Sequence, residues 1–156
     1  MKRKRHINRF KKSPFKQGVY SPVNREKYKS LRLPEYRSSW ELKFFKWCDS
    51  NPAVLEWNSE SVIVPYLSPV DNKLHRYFID GFISLKEGTT VRRYLIEIKP
   101  YKQTIPPIES KRKKKSTILY EKMTYAVNQA KWNAARQFAQ KRNLEFIILT
   151  ENELNV

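Results

Sequence analysis

The run RYLIEIKP, Arg93 to Pro100, decides how the rest of the chain is read: it is apolar and branched enough for a buried strand, yet it carries Glu97 and Lys99. Side chains alternate along a strand and two residues rise about 6.6 Å, so Leu95, Glu97 and Lys99 share one face while Ile96 and Ile98 share the other. The two charges therefore point the same way. The preceding run LHRYFIDGFISL, Leu74 to Leu85, embeds a second acid, Asp80, with Phe78 and Phe82 on its face and Tyr77, Ile79 and Ile83 on the other. Between the runs, Lys86 to Thr90 with Gly88 suits an antiparallel hairpin. If the register follows these faces, Asp80, Glu97 and Lys99 converge.

Each charge also has a plainer reading. Asp80-Gly81 has the form of a tight turn, although the sequence stays apolar on both sides and Glu87-Gly88 is a better place to reverse the chain. Glu97 and Lys99 would be an exposed salt bridge of little worth if their face were solvated. Against these, two carboxylates beside Leu95, Phe78 and Phe82 are unfavourable to bury, and a divalent cation bound to both removes that penalty. Two acids and a lysine are the minimum for metal-dependent phosphodiester hydrolysis. Asp80 and Glu97 would hold Mg²⁺ (or Mn²⁺), and Lys99 would orient the attacking water or neutralise developing charge.

Working outward, Ser38-Ser39-Trp40-Glu41 has the form of a capping box, and Trp40, Phe44, Phe45 and Cys48 recur at helical spacing, which predicts about three turns ending near Asn51-Pro52. Glu41 borders that apolar stripe, so it either closes the cap with Ser38, or is aimed at the sheet as a further metal or catalytic carboxylate, or does both. SVIVPY, Ser61 to Tyr66, reads as an edge strand because Pro65 interrupts it. Leu119, Met123, Ala126, Ala130, Ala134 and Phe138 mark one face of a long helix, with Asn143 as its C-terminal cap. LEFIILT, Leu144 to Thr150, reads as a closing strand buried on both sides. The predicted order is α, β, β, β, α, β, with no internal repeat.

Charge points to a polyanionic partner. The 156 residues carry 32 Lys and Arg against 15 Asp and Glu, a net +17 that a compact fold tolerates best when its working partner is nucleic acid. Residues 1–30 hold eleven of the basic residues against the single acid Glu26 and lack periodicity, so residues 1–35 are read as a basic N-terminal arm, disordered or ordered by a partner, and residues 36–156 as the folded domain. A second block, Lys111, Arg112, Lys113, Lys114 and Lys115, follows Pro106-Pro107 and predicts a mobile phosphate-seeking loop; with Lys102 it would hold the DNA backbone without reading bases. A localisation signal or plain solubility are the alternatives for such blocks. No apolar run approaches the ~18 residues of a membrane span, and the basic leader lacks the apolar core of a signal peptide. Cys48 is the only cysteine, and His6 and His75 lack partners at zinc-ligand spacing, which argues against a disulfide or structural zinc.

With these motifs in hand, the chain resembles the PD-(D/E)XK nucleases, an α/β family with a restriction-endonuclease-like αβββαβ core, one Asp at the second strand and E-x-K on the third; Asp80, Glu97 and Lys99 match. It is most similar to the TnsA-like branch, through RSSWE (37–41), FIDGF (78–82), EIKP (97–100) and LEFIILTE (144–151). Within that branch, it resembles the head-completion nucleases of T-even-like tailed phages in length, basic leader and EIKPYKQ followed by a Pro pair. The resemblance covers about residues 35–152 and implies that Glu41 joins the site. The Pro that commonly precedes the Asp is Ile79 here, and no second domain for sequence-specific recognition is evident.

What the resemblance implies is a Mg-dependent DNA endonuclease or exonuclease that trims or processes packaged DNA before head-tail joining and meets portal or neck proteins. It would work in the host cytoplasm during assembly, with retention in the virion left open, as are oligomeric state and whether one strand or two are cut. The competing readings are a non-catalytic DNA-binding head or neck protein on a decayed nuclease core, and a cellular restriction or repair nuclease.

Overall fold

The structure, a computed structural model, describes residues 17–156. In chain order the elements are β1 (Gly18–Val19), β2 (Glu35–Tyr36), α1 (Ser39–Ser50), β3 (Val54–Ser59), β4 (Ile63–Leu67), β5 (Leu74–Phe78), β6 (Gly81–Glu87), β7 (Thr90–Ile98), α2 (Lys115–Gln140), β8 (Glu145–Leu149) and α3 (Glu151–Leu154). The central sheet has the order β3-β6-β7-β8, antiparallel except for the parallel pair β7 and β8, which α2 connects. This is the expected α/β mixed sheet flanked by helices. Among the described residues no helix is long and apolar enough to cross a membrane.

Strand alternation divides the core in two. Ile83, Tyr94, Ile96 and Ile98 face α1, where Phe44, Phe45 and Cys48 pack with Val54, Trp57 and Tyr28. Leu95 faces α2 and packs against Trp132, Ala135 and Ala139, together with Val64, Tyr66, Tyr77 and Ile79 of the β4-β5 hairpin. Both faces of β7 are thus covered, which is why its second half is continuously buried despite Glu97.

Four expectations need correction. The first strand of the sheet is VLEWNS, Val54 to Ser59, which the sequence reading passed over; a bulge between Val54 and Glu56 breaks its alternation, so the buried pair Val54 and Trp57 stands three apart. Ser61 to Tyr66 is not an edge of that sheet: β4 pairs with β5 in its own hairpin, where Pro65 needs no central partner. The run Leu74 to Leu85 is two strands, broken at Ile79 and Asp80: β5 pairs with β4 outside the central sheet, and only β6 belongs to it. Finally, Leu144 to Thr150 is not buried on both sides, because β8 is the sheet's outer strand and is only half-buried.

The helices also differ in detail. The buried face of α2 is Asn128, Trp132, Ala135 and Ala139; Leu119 and Met123 of the predicted stripe are 60% and 40% exposed. Asn143 takes φ +54 beyond the helix, and Leu144 N–H donates to Ala139 O at 2.9 Å, so the left-handed C-terminal cap is present.

The predicted boundary at residue 35 moves toward the N-terminus. Residues 1–16 of the basic arm lie outside the described residues, but residues 17–36 form a strap across the C-terminal end of α1. Its anchor is Asp49, 2% exposed, which accepts from Tyr20 Oη at 2.6 Å, Val23 N at 2.7 Å and Asn24 N at 2.8 Å. Lys27 Nζ donates to the Asp49 and Asn51 carbonyls at 3.1 and 2.8 Å, satisfying carbonyls the helix end leaves free. Burial pushes the Asp49 carboxyl up, but the bonds from Tyr20, Val23 and Asn24 outweigh it and hold the group below 3.8. Asp49→Ala is expected to lower unfolding free energy by about 3 kcal/mol and expose the strap to limited proteolysis. A lowered acid pKa contributes stability that is present above 3.8 and lost as pH falls through the lowered value, so across an acid titration followed by circular dichroism the wild-type advantage over Asp49→Asn should shrink below pH 3.8.

Candidate active site

The hairpin of β6 and β7 brings the charges together. Its turn is two residues long, since Glu87 pairs with Thr90, and Gly88 at φ +62 supplies the left-handed conformation that the first turn position requires. A short turn leaves no slack in register: Phe82 pairs with Leu95 and Gly81 with Ile96, so Asp80 falls opposite Glu97. Asp80 Oδ2 accepts from Ile98 N at 2.8 Å, and Lys99 Nζ stands 3.2 Å from Glu97 Oε1. The convergence of Asp80, Glu97 and Lys99 is present in the folded chain, and Asp80-Gly81 is not a hairpin turn.

Glu97 is only 4% exposed and both its oxygens are engaged. Tyr77 Oη donates to Oε2 at 2.5 Å, while Lys99 takes Oε1. Burial, then the charge of Glu97, pushes the Tyr77 phenol far up, so it remains a protonated donor. Lys131 of α2 lies over the Tyr77 ring at 5.5 Å, placing a second ammonium on this side of the sheet. Burial, then Glu97, also pushes the Asp80 carboxyl well above 3.8; the Ile98 N–H opposes this, and Glu41 adds to it. Two carboxylates with one paired lysine are short of positive charge.

Tyr77 and Lys131 were missed by sequence reasoning. Continuous alternation through Leu74 to Leu85 puts Tyr77 on the face away from Asp80, but the break at Ile79 and Asp80 changes parity and turns Tyr77 toward Leu95 and Glu97. The same break leaves Phe78 44% exposed instead of beside the acids. No sequence signal distinguishes a broken strand from a continuous one here, apart from Gly81 itself. A Cβ on Gly81 would stand 2.6 Å from Phe44 Cε1, so its lack of a side chain is what lets α1 approach the start of β6.

That approach brings Glu41 within electrostatic reach of Asp80 without joining it. Ser38 Oγ accepts from Glu41 N at 3.2 Å, the predicted cap, but Glu41 Oε2 accepts from Arg37 N at 2.7 Å, one residue before the capping-box partner. Burial pushes the Glu41 carboxyl up, against the Arg37 contacts. Among the described residues, no group of three or more His, Cys, Asp or Glu side chains is gathered closely enough to hold a metal ion. Asp80 and Glu97 therefore form a two-carboxylate site, with Glu41 tied to the helix start beside it.

Beyond the site, Lys102 follows on an exposed turn, Tyr101 to Gln103, and Tyr101 N is held by Glu151 Oε2 at 2.8 Å. The basic block does not hang free, as expected of a mobile loop. Lys113 Nζ bonds Glu121 at 2.9 Å and Ile108 O at 3.1 Å, and Lys122 pairs with Glu109, clasping the loop to α2. Lys111, Arg112, Lys114 and Lys115 have no ion-pair partner among the described residues and surround the N-terminus of α2, whose first turn holds no acid.

A family model described as "TnsA-like endonuclease N terminal" matches residues 51–151, which include Asp80, Glu97 and Lys99 but begin after α1 and Glu41. The "Head completion nuclease" of Enterobacteria phage T4 is 38% identical over 141 residues, covering 88% of this chain and 92% of that protein. With a matching family model over most of the sheet and a relative similar along nearly its whole length, the chain belongs to the TnsA-like endonuclease family and is a homologue of the phage head-completion nuclease.

Proposed function

We propose that the protein hydrolyses DNA phosphodiesters at Asp80, Glu97 and Lys99 with Mg²⁺ or Mn²⁺, processing packaged DNA during phage head completion. The observation carrying this reading is Asp80 held at 2.8 Å by the Ile98 N–H within electrostatic reach of Glu97, with Lys99 3.2 Å from the Glu97 carboxylate. The donor set fits a hard divalent ion: two carboxylates share a partly desolvated site, and the raised proton affinity of Asp80 is the signature of an uncompensated charge that a cation would relieve. When bound, such an ion polarises a phosphoryl oxygen and lowers the pKa of coordinated water.

The chain's own groups divide the remaining work. Asp80, fixed by the Ile98 N–H, and Glu97, fixed by Tyr77, present oxygens in set orientations, with Glu41 as a third acid at the edge. Lys99, its side chain 26% exposed, offers a donor to water or phosphate at the boundary with solvent. Lys102 and the basic block grip the backbone around it, contacts that position DNA but carry no sequence information. The relative's name and the basic surface together support action on DNA in head completion, work that would be done in the host cytoplasm at the portal or neck of a filled head.

Incubating the purified protein with supercoiled and linear DNA tests this directly. Cleavage with Mg²⁺ or Mn²⁺ and none in EDTA is expected; binding without cleavage under every condition would leave the non-catalytic head-protein reading standing. Tyr77→Phe should lower activity or apparent metal affinity about 10- to 100-fold, read from a Mn²⁺ titration of the cleavage rate, because Glu97 loses the bond that orients it.

A further inference from the structure

A cleft of about 570 Å³ opens where the Pro-rich loop after β7 lies along the N-terminal half of α2. That volume is within the range of small-molecule sites, roughly 300 to 1,000 Å³. Its walls include Pro106 and Pro107 on the loop and Tyr120 and Tyr125 on the helix, flat groups that favour a planar ligand. Lys102 stands at its rim. The Lys113–Glu121 pair, which neutralises the one acid lining the cleft, joins loop to helix beside it.

Asn128 is the decisive residue. It is 7% exposed and lines the cleft. An amide that lines a cleft offers one donor and one acceptor side by side, which match the edge of a nucleobase. Asn128 also lies one turn, about 6 Å, before Trp132 on α2. Trp132 packs in one cluster with Tyr77, which holds Glu97, so the helix that walls the cleft also covers the side of the sheet where Tyr77 meets Glu97.

We infer that this cleft is a nucleobase subsite, taking one unstacked base of the bound DNA between the tyrosines and the Pro pair, with Asn128 meeting its edge and Lys102 its phosphate. This rests on the nuclease reading for its substrate but not for its test. Stacking of one base on an aromatic wall is sequence-tolerant, so the subsite would fix how far the strand advances relative to Glu97 without selecting a sequence.

The test titrates the full chain in EDTA with deoxyadenosine monophosphate, thymidine monophosphate and baseless deoxyribose 5-phosphate, followed by saturation-transfer NMR. Both nucleotides should bind at least about tenfold tighter than the sugar phosphate, and Tyr120→Ala, a change at a 71% exposed position, should remove most of the difference. In parallel, a single abasic position is walked along a duplex substrate. One position should slow cleavage about tenfold with wild type and have little effect with Tyr120→Ala, because the variant has already lost the contact. Equal binding of nucleotides and sugar phosphate would reduce the cleft to a phosphate contact and overturn the inference. So would additive losses from Tyr120→Ala and every abasic position. If the wild type cuts no DNA at all, the nuclease reading fails, and the titration still decides the cleft.

Discussion

Asp80→Asn or Glu97→Gln is expected to lower metal-dependent cleavage by about 10³-fold or more, since each removes a charged oxygen from a site that has only two such carboxylates. Neither change should unfold the protein. An Asn at position 80 keeps an acceptor for the Ile98 N–H, now bonded at 2.8 Å, and a Gln at position 97 keeps an acceptor for Tyr77. The sign of the stability effect at position 80 follows from the pKa. Asp80 is raised above 3.8 by burial and by Glu97, so it costs stability progressively as pH rises from 3.8 to the raised value, and that cost is complete above it. An Asn never ionises, and the unfolding temperature of Asp80→Asn in EDTA at neutral pH should equal or exceed that of wild type. Gel-shift affinity in EDTA should be unchanged or tighter, because a negative charge near the phosphates has gone. Initial rates on a fluorescent duplex with Mg²⁺ and Mn²⁺ supply the readout; undiminished cutting by both variants would refute the assignment.

The second large effect concerns binding. Replacing Lys111, Arg112, Lys114 and Lys115 together by Ser should weaken DNA affinity about 10²- to 10³-fold near physiological salt and make the slope of log K against log salt shallower by about three to four. The structure is what selects these four. Lys113 is already committed to Glu121 and the Ile108 carbonyl, and removing it would unfasten the loop rather than subtract a phosphate contact. Lys114 and Lys115 sit at the N-terminus of α2, where a cation is unfavourable against the helix dipole, with no acid in the first turn to offset it. Their replacement should therefore leave stability unchanged or slightly improved while binding falls. Filter binding across a salt series measures the slope; an affinity loss with an unaltered slope would mean that these residues do not contact phosphate.

The catalytic candidates were legible in the sequence because their placement depends on two local regularities. Alternation put Glu97 and Lys99 on one face, and the Gly88-containing linker marked a hairpin whose register stayed open until the structure showed a turn of two residues. Pattern reading failed where the chain departs from those regularities. The bulge in β3 separated Val54 from Trp57 by three residues and hid the first strand. The break before Gly81 reversed parity, so Tyr77 looked as if it faced away from the acid it holds. In α2 the stripe from Leu119 to Phe138 predicted the helix but misplaced its buried face, because helical spacing alone does not say how far the supporting sheet extends along the helix.

Glu41 shows the same division at a single residue. Its place four residues after Arg37 and three after Ser38 specifies a helix start, which needs only local hydrogen bonds, and those bonds are present. Its distance from Asp80 depends on how closely α1 packs on β6, a matter settled by Gly81 and Phe44, which are far apart in the chain. By itself, then, the sequence determined the two long helices, the pairing of the Asp80 run with the Glu97 run as a hairpin, and the shared face of Glu97 and Lys99, all of which follow from spacing within one element or between two neighbouring ones. Only the tertiary structure decided that Tyr77 orients Glu97, that residues 17–36 strap the end of α1 and that Asn128 opens into a cleft. Those depend on where separate elements stop and meet, and a periodic pattern within one element carries no record of that.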